Sequence, residues 1–166
     1  AASALPEPFS GWFAARGWAP RGHQIELVER ARRGESVLLI APTGAGKTLA
    51  GFLPSLIELS EAAGRRRARG SDRDAPRRAG PHTLYVSPLK ALAVDIRRNL
   101  EAPVGEMGLP VTIETRTGDT PQDRRRRQRL APPEILLTTP EQVALLLSHT
   151  DADRWFADLS VVIFDE

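Results

Sequence analysis

The sequence predicts an α/β fold in which a parallel β-sheet carries helices on both faces. Three observations lead there. Five short, β-rich apolar runs recur along the chain: "SVLLIAP", "HTLYVSP", "VTIETR", "EILLTTP" and "LSVVIFDE". Segments with helical spacing separate them, at 48–59, 89–100, 122–130 and 141–147. Several runs end in clusters of Ser, Thr, Pro or Gly, and in a parallel sheet those ends share one edge, outside the carboxyl ends of the strands, where ligands sit.

Taken in order, residues 1–34 read as an N-terminal helical segment, with a helix over 21–33 that stops at Gly34, a residue suited to the C′ position. Residues 35–166 carry the sheet. Its first strand runs into "APTGAGKT" and a helix. The stretch "AGRRRARGSDRDAPRRAGP", about 63–81, lacks periodicity and is rich in Arg, Gly and Pro, which predicts a flexible surface insertion. In "TGDTPQD", Thr120 is placed as an N-cap with Pro121 at N1, and Pro140 is equally suited to N1 of the helix after it. The chain begins without Met, and its last apolar run stops two acidic residues later, so the sheet is expected to be incomplete at the C-terminus.

At 166 residues and 41% hydrophobic content, the chain is one domain's worth with enough apolar surface for a core. With no cysteine, a disulfide framework, a Cys-ligated zinc site and thiol catalysis are excluded. No run approaches the roughly 18 apolar residues of a membrane span, and no basic segment precedes an apolar stretch at the start, so a cytoplasmic location is expected and no membrane partner. The net charge of +2 does not by itself announce a polyanion partner. The arginine runs at 65–78 and 123–129 read as solvated surface at least as readily as a DNA track, and His23, His82 and His149 show no ligand spacing.

"APTGAGKT" is where chemistry concentrates. Gly44 and Gly46 let the backbone curl so that successive N–H groups, with Thr43 and Ala45 between and before them, face inward as an anion nest at a positive helix start. Lys47 can reach terminal phosphates, and the Thr48 hydroxyl can ligate Mg²⁺. One position departs from the phosphate-loop pattern, because Ala41 stands where the first glycine is usual. Such a loop needs a carboxylate on a second strand. "VVIFDE" supplies Asp165 to bind Mg²⁺ through water and Glu166 to orient and deprotonate an attacking water.

Six segments in sequence, "GWAPRGHQ", "APTGAGKT", "SPLKALAVD", "TRTGDT", "TTPEQ" and "FDE", resemble the first RecA-like domain of superfamily 2 DExH-box helicases. Within that superfamily they are most similar to the Lhr-like and ligase-associated DNA helicase group. The resemblance implies a RecA-like P-loop domain truncated at the acidic motif, an ATP-dependent DNA helicase or translocase acting in repair, and a bacterial, nucleoid-associated protein. It implies ATP and Mg²⁺ as cofactors, with Gln24 reading adenine and Trp18 packing beside the base or serving as an ordinary core aromatic. It assigns Ser87, Lys90, Thr117, Gly118, Thr139 and Pro140 to the backbone of single-stranded or partly duplex DNA, a role for which hydroxyls, an ammonium and helix-start N–H groups are chemically suited, although the Ser-Pro and Thr-Pro pairs also suit helix capping. It further implies a second RecA-like domain supplying an arginine finger, and a ligase or nuclease as possible repair partners.

In the resembled fold the strand following the acidic motif inserts between the first strand and the last one seen here. Without it both bordering strands are left with unpaired backbone groups, at a cost on the order of several kcal/mol. The 166-residue chain alone is therefore expected to be marginal and inactive as a hydrolase. Two other readings stay open: a P-loop NTPase or kinase with no nucleic-acid role, and a nucleic-acid-binding fragment without hydrolysis.

Overall fold

The computed structural model describes residues 5–42, 44–70 and 78–165. Its sheet has four parallel strands, β1 (Thr83–Val86), β2 (Ile113–Arg116), β3 (Ile135–Thr138) and β4 (Val161–Phe164), in the order β2-β3-β1-β4. Thr83 aligns with Ile135 on one side and Val161 on the other, while Ile113 aligns with Ile135. The expected α/β alternation is what forms: α1 (Phe9–Ala15), α2 (Gly22–Arg32), α3 (Lys47–Ala68), α4 (Lys90–Glu106), α5 (Gln122–Leu130), α6 (Pro140–Leu147) and α7 (Ala152–Trp155).

The period of two along a strand divides the core into two layers. On one face Tyr85, Ile135 and Leu137 pack with Phe52, Leu53 and Leu56 of α3 and Ile96 and Leu100 of α4. On the other face Leu84, Val86 and Leu136 pack with Leu146 of α6 and Trp155 of α7. β1 and β3 are buried along their whole length, as strands covered on both faces must be.

α3 fixes the orientation of the site. Phe52 stacks on Tyr85 with ring centroids 5.6 Å apart, and one turn later Ser55 accepts a 2.8 Å hydrogen bond from the Thr83 hydroxyl. The helix thus runs antiparallel to β1, and its first residue, Lys47, lies at the carboxyl edge of the sheet. Gly51 confirms the placement, since a Cβ there would sit 3.7 Å from Ile163 of β4.

Several helix ends follow their sequence signals. Gly34 has φ +73° and donates to Ala31, while Glu35 donates to Arg30, the paired bonds of a Schellman motif. Pro140 occupies N1 of α6. Thr120 differs from expectation: Pro121, not Thr120, stands at the N-cap of α5, and the Thr120 hydroxyl instead accepts from the Thr117 N–H at 2.9 Å. The short Thr117–Thr120 turn captures that oxygen before the helix can use it.

Two further expectations are corrected. The run 36–42 forms no strand: among the described residues it pairs with none of β1–β4, and Leu38 and Ile40 are 84% and 86% exposed. A strand exists through its ladder, and 36–42 is hydrogen-bonded to neither open edge of the sheet, that of β2 nor that of β4. β4 accordingly pairs with β1 alone, and Phe164 is left exposed. The arginine-rich segment also begins later than its composition suggests. α3 continues through Gly64 to Ala68, favoured by good helix formers and a Glu61–Arg65 pair at i,i+4. Ala79 donates to Asp158, and Gly80 is buried against α7, so the far side of the segment is also packed; residues 71–77 lie outside the described ones.

Candidate nucleotide and nucleic-acid site

The glycine turn before α3 has the conformation its composition dictates. Gly44 and Gly46 adopt φ +79° and +72°, values that bring amide groups of a turn to one side, and Gly46 is the N-cap of α3. Lys47 folds back over this turn, its Nζ donating to the Ala41 carbonyl at 2.6 Å. The ammonium therefore lies across the turn that would receive phosphate, while Thr48 is half-buried beside it. Thr43 and Glu166 lie outside the described residues.

Gln24 couples the preceding helix to this turn. Its Oε1 accepts from the Arg21 N–H at 2.9 Å, closing a capping box on α2, and its Nε2 donates to the Gly46 carbonyl at 3.4 Å. The φ of residue 46 favours glycine, and a Cβ there would come within 2.9 Å of the Gln24 amide nitrogen and displace it from the Gly46 carbonyl. Trp18 is no core residue: it is 58% exposed, edge-on to Trp12, with the Arg16 guanidinium 5.5 Å from its ring.

Asp165 follows β4 at the same edge. Its N–H continues the ladder to Val86, and its Oδ2 accepts a 2.8 Å hydrogen bond from the Tyr85 hydroxyl. A hydroxyl at the start of α3 and a carboxylate on a facing strand end are hard oxygen donors, and they fit Mg²⁺. Among the described residues no group of three or more His, Asp or Glu could hold a metal by itself, and Mg²⁺ typically takes most of its shell from phosphate and water.

The strand-end residues assigned to nucleic acid come together in a second cluster on this edge. Ser87 donates its N–H to Thr138, whose hydroxyl donates to the Arg116 carbonyl at 2.7 Å. Lys90 pairs with Asp119 at 3.2 Å, and a Cβ on Gly118 would sit 3.3 Å from the Lys90 ammonium. The Glu141 carboxyl is held below its ordinary range by its own N–H first, then by the Thr139 hydroxyl, with a contribution from the Lys90 charge. Lys90 thus lies between the Thr117–Asp119 turn and the start of α6.

Which groups face outward is narrower than the sequence suggests. Ser87, Thr117 and Thr139 are buried; the Ser87 and Thr117 hydroxyls accept from Leu89 and Asp119 N–H groups two residues on. They build turns. Lys90, Gly118 and Pro140 are exposed.

Sequence reasoning missed three residues here. Tyr85 is the single tyrosine of the chain, a polar-tipped aromatic between Leu84 and Val86, and that was its signal. Arg125, inside a run of four arginines, donates to the carbonyls of Thr120, Thr117 and Gly118. Arg116 is buried and donates to the Arg125 carbonyl; its guanidinium is held below the ordinary arginine range by burial, then by the charges of Arg125 and Arg129. Other members of the run are also engaged, Arg127 with Glu114 and Arg129 with Asp151.

Comparison with known proteins places this arrangement. The DEAD/DEAH box helicase family profile matches residues 21–166. The chain is 38% identical to the Lhr helicase/uracil glycosylase of Escherichia coli over 99% of its length, and 39% identical to the Lhr helicase/probable uracil glycosylase of Mycolicibacterium smegmatis over 93%. It spans only 11% and 10% of those proteins. In structure it is similar across its whole length to the Mycobacterium smegmatis helicase Lhr bound to ssDNA and AMP-PNP, with TM-score 0.74 and 36% identity over 20% of that chain. The DUF1998 helicase MrfA bound to DNA and AMPPNP superposes with TM-score 0.79 and 28% identity over 21% of its chain. No helix among the described residues is long and apolar enough to cross a membrane. A parallel sheet with a glycine turn, an acidic strand end and a basic strand-end cluster on one edge is the RecA-like arrangement of these helicases, and the chain belongs to the DEAD/DEAH box helicase family.

Proposed function

We propose that the chain is the ATP-binding RecA-like domain of an Lhr-type, ATP-dependent DNA helicase or translocase. The observation that carries the reading is the shared edge: the Gly44–Lys47 turn, Asp165 and the Lys90–Gly118 cluster all lie at the carboxyl ends of the strands. Nucleotide and nucleic acid would therefore bind to neighbouring ends of the same strands, the geometry a motor needs to couple them.

In this reading the amides of residues 43–46 cradle the phosphates of ATP, and Lys47 exchanges the Ala41 carbonyl for phosphate oxygen. Thr48 and, through water, Asp165 hold Mg²⁺, which when bound neutralises charge on the phosphates. Glu166 orients and deprotonates the hydrolytic water. Gln24, already bound to Gly46, presents the adenine-reading amide next to the cradle. Lys90 and the Gly118 N–H hold the DNA backbone without reading sequence.

DNA rather than RNA is supported by the ligands named for the similar Lhr and MrfA structures. A second RecA-like domain, a cytoplasmic place beside the nucleoid and a repair nuclease or ligase as partner follow from the helicase resemblance. The test is strand displacement from a partly duplex DNA by the full-length protein. ATP should release the strand and a non-hydrolysable analogue should not. Release independent of nucleotide, or none at any ATP concentration, would contradict the reading.

A further inference from the structure

The arginine run of α5 holds one member that differs from its neighbours. Arg124, Arg126 and Arg127 are exposed, whereas Arg125 is half-buried and turned onto the loop before its own helix. Its Nε donates to the Thr120 carbonyl at 2.8 Å, and its Nη2 donates to the carbonyls of Gly118 at 2.6 Å and Thr117 at 3.2 Å. Three carbonyls of one short loop thus converge on one guanidinium. From below, Arg116 of β2 donates to the Arg125 carbonyl at 3.1 Å, which ties the clamp to the sheet.

Peptide planarity gives this clamp a direction. In a trans peptide the C=O and the following N–H point opposite ways. Drawing the Thr117 and Gly118 carbonyls onto Arg125 turns the N–H groups of Gly118 and Asp119 away from it. The Asp119 N–H meets the Thr117 hydroxyl. Planarity leaves the Gly118 N–H on the side away from Arg125, at an exposed residue whose Cβ position is 3.3 Å from the Lys90 ammonium. A cation on the inner side of a loop therefore aims amide donors at an anion on its outer side.

We propose that Arg125 is a positioning residue for nucleic-acid binding, holding the Thr117–Thr120 loop so that the Gly118 N–H and Lys90 face a phosphate that Arg125 itself does not touch. The proposal rests on the reading of this edge as a DNA site. The contacts are split between Nε and Nη2, two nitrogens held apart by the guanidinium plane, a spread that the single nitrogen of a lysine does not reproduce.

The experiment is fluorescence anisotropy of a single-stranded oligonucleotide titrated with the full-length protein, wild type, R125Q and R125K, between about 50 and 200 mM salt. Kd is expected to rise about tenfold in both variants, equivalent to ~1.4 kcal/mol, on the order of one hydrogen bond to a charged group. The slope of log K against log salt is expected to match wild type, because no phosphate contact is lost. The DNA concentration that half-saturates ATP turnover should rise in the same proportion. Partial unfolding would also raise the apparent Kd without changing the slope. The active fraction of each variant is therefore first fixed by titration at a DNA concentration well above Kd, and the tenfold rise is expected in the Kd corrected for it. A slope shallower by about 0.7–0.9 would make Arg125 a direct phosphate contact and overturn the proposal. Affinities within about twofold of wild type, or full rescue by R125K, would overturn it too. If wild type itself binds no DNA, the DNA reading falls first and this inference with it.

Discussion

The Tyr85 hydroxyl donates a 2.8 Å hydrogen bond to Oδ2 of Asp165 across two adjacent parallel strands. The same ring stacks on Phe52, little more than one turn along α3 from Lys47 and Thr48. One side chain therefore fixes the acidic strand end relative to the helix that follows the glycine turn. Removing the hydroxyl with Tyr85→Phe keeps the stack and should cost only about 1 kcal/mol of stability. With Asp165 no longer held, several-fold more Mg²⁺ should be needed for half-maximal turnover. A magnesium titration of the full-length variant checks this, and an unchanged midpoint would show that Asp165 needs no such tether.

Lys90 is exposed, paired with the still more exposed Asp119, and next to Gly118. Such a surface pair is weak and readily exchanged for a phosphate. Lys90→Ala should lower DNA affinity and reduce the salt slope by about 0.7–0.9, the signature of one lost phosphate contact. Affinity measured at several salt concentrations separates this from the Arg125 variants, whose slope should not change.

Gly80 lies where the chain enters β1, beside α7. A Cβ there would fall 1.5 Å from the Trp155 carbonyl oxygen and 2.6 Å from its carbon. These are backbone atoms and cannot swing aside. Gly80→Ala should destabilise the domain by ~3 kcal/mol through forced separation of α7 from the sheet. Urea unfolding monitored by tryptophan fluorescence would show it as a lower midpoint.

His82 is buried at the opposite end of β1, with Nδ1 2.8 Å from the Thr83 hydroxyl and Nε2 3.2 Å from the Glu58 carboxylate. Burial pushes its pKa below the ordinary histidine value, and Glu58 offsets part of that shift. The unfolded chain therefore takes up a proton more readily than the folded one. Stability is full above about pH 6.5 and falls as pH drops through that value toward the lower folded pKa. Unfolding midpoints between pH 7.5 and pH 5.5, in wild type and His82→Gln, should show a decline that the variant lacks.

Much of this architecture is legible in the amino-acid sequence. Strand cores such as "TLYV" and "ILLT" announce themselves by β-branched and aromatic content, and Gly34 and Pro140 mark helix ends by conformational rules that tertiary contacts seldom override. The glycine turn before α3 was equally plain as a turn, because Gly44 and Gly46 adopt positive φ at no steric cost. What stayed hidden depends on partners distant in sequence or on geometry within a run. Tyr85 and Asp165 are 80 residues apart. Arg125 reads like its neighbours until the helix phase shows which arginine faces the loop. The strand expected over 36–42 had the right composition and lacked a ladder partner among β1–β4, which composition cannot reveal. α1 did carry a signal, the 9, 12, 13 spacing of Phe9, Trp12 and Phe13, that went unread.

The central claim is that one strand edge couples a nucleotide to DNA. Its most direct measurement is ATP turnover by the full-length protein, titrated with single-stranded DNA, beside Lys47→Ala. The account predicts saturable stimulation by DNA that vanishes in the variant, while the variant still binds DNA. Turnover that is indifferent to DNA would contradict it, leaving a P-loop NTPase whose strand-end serine and threonines serve only to shape their turns.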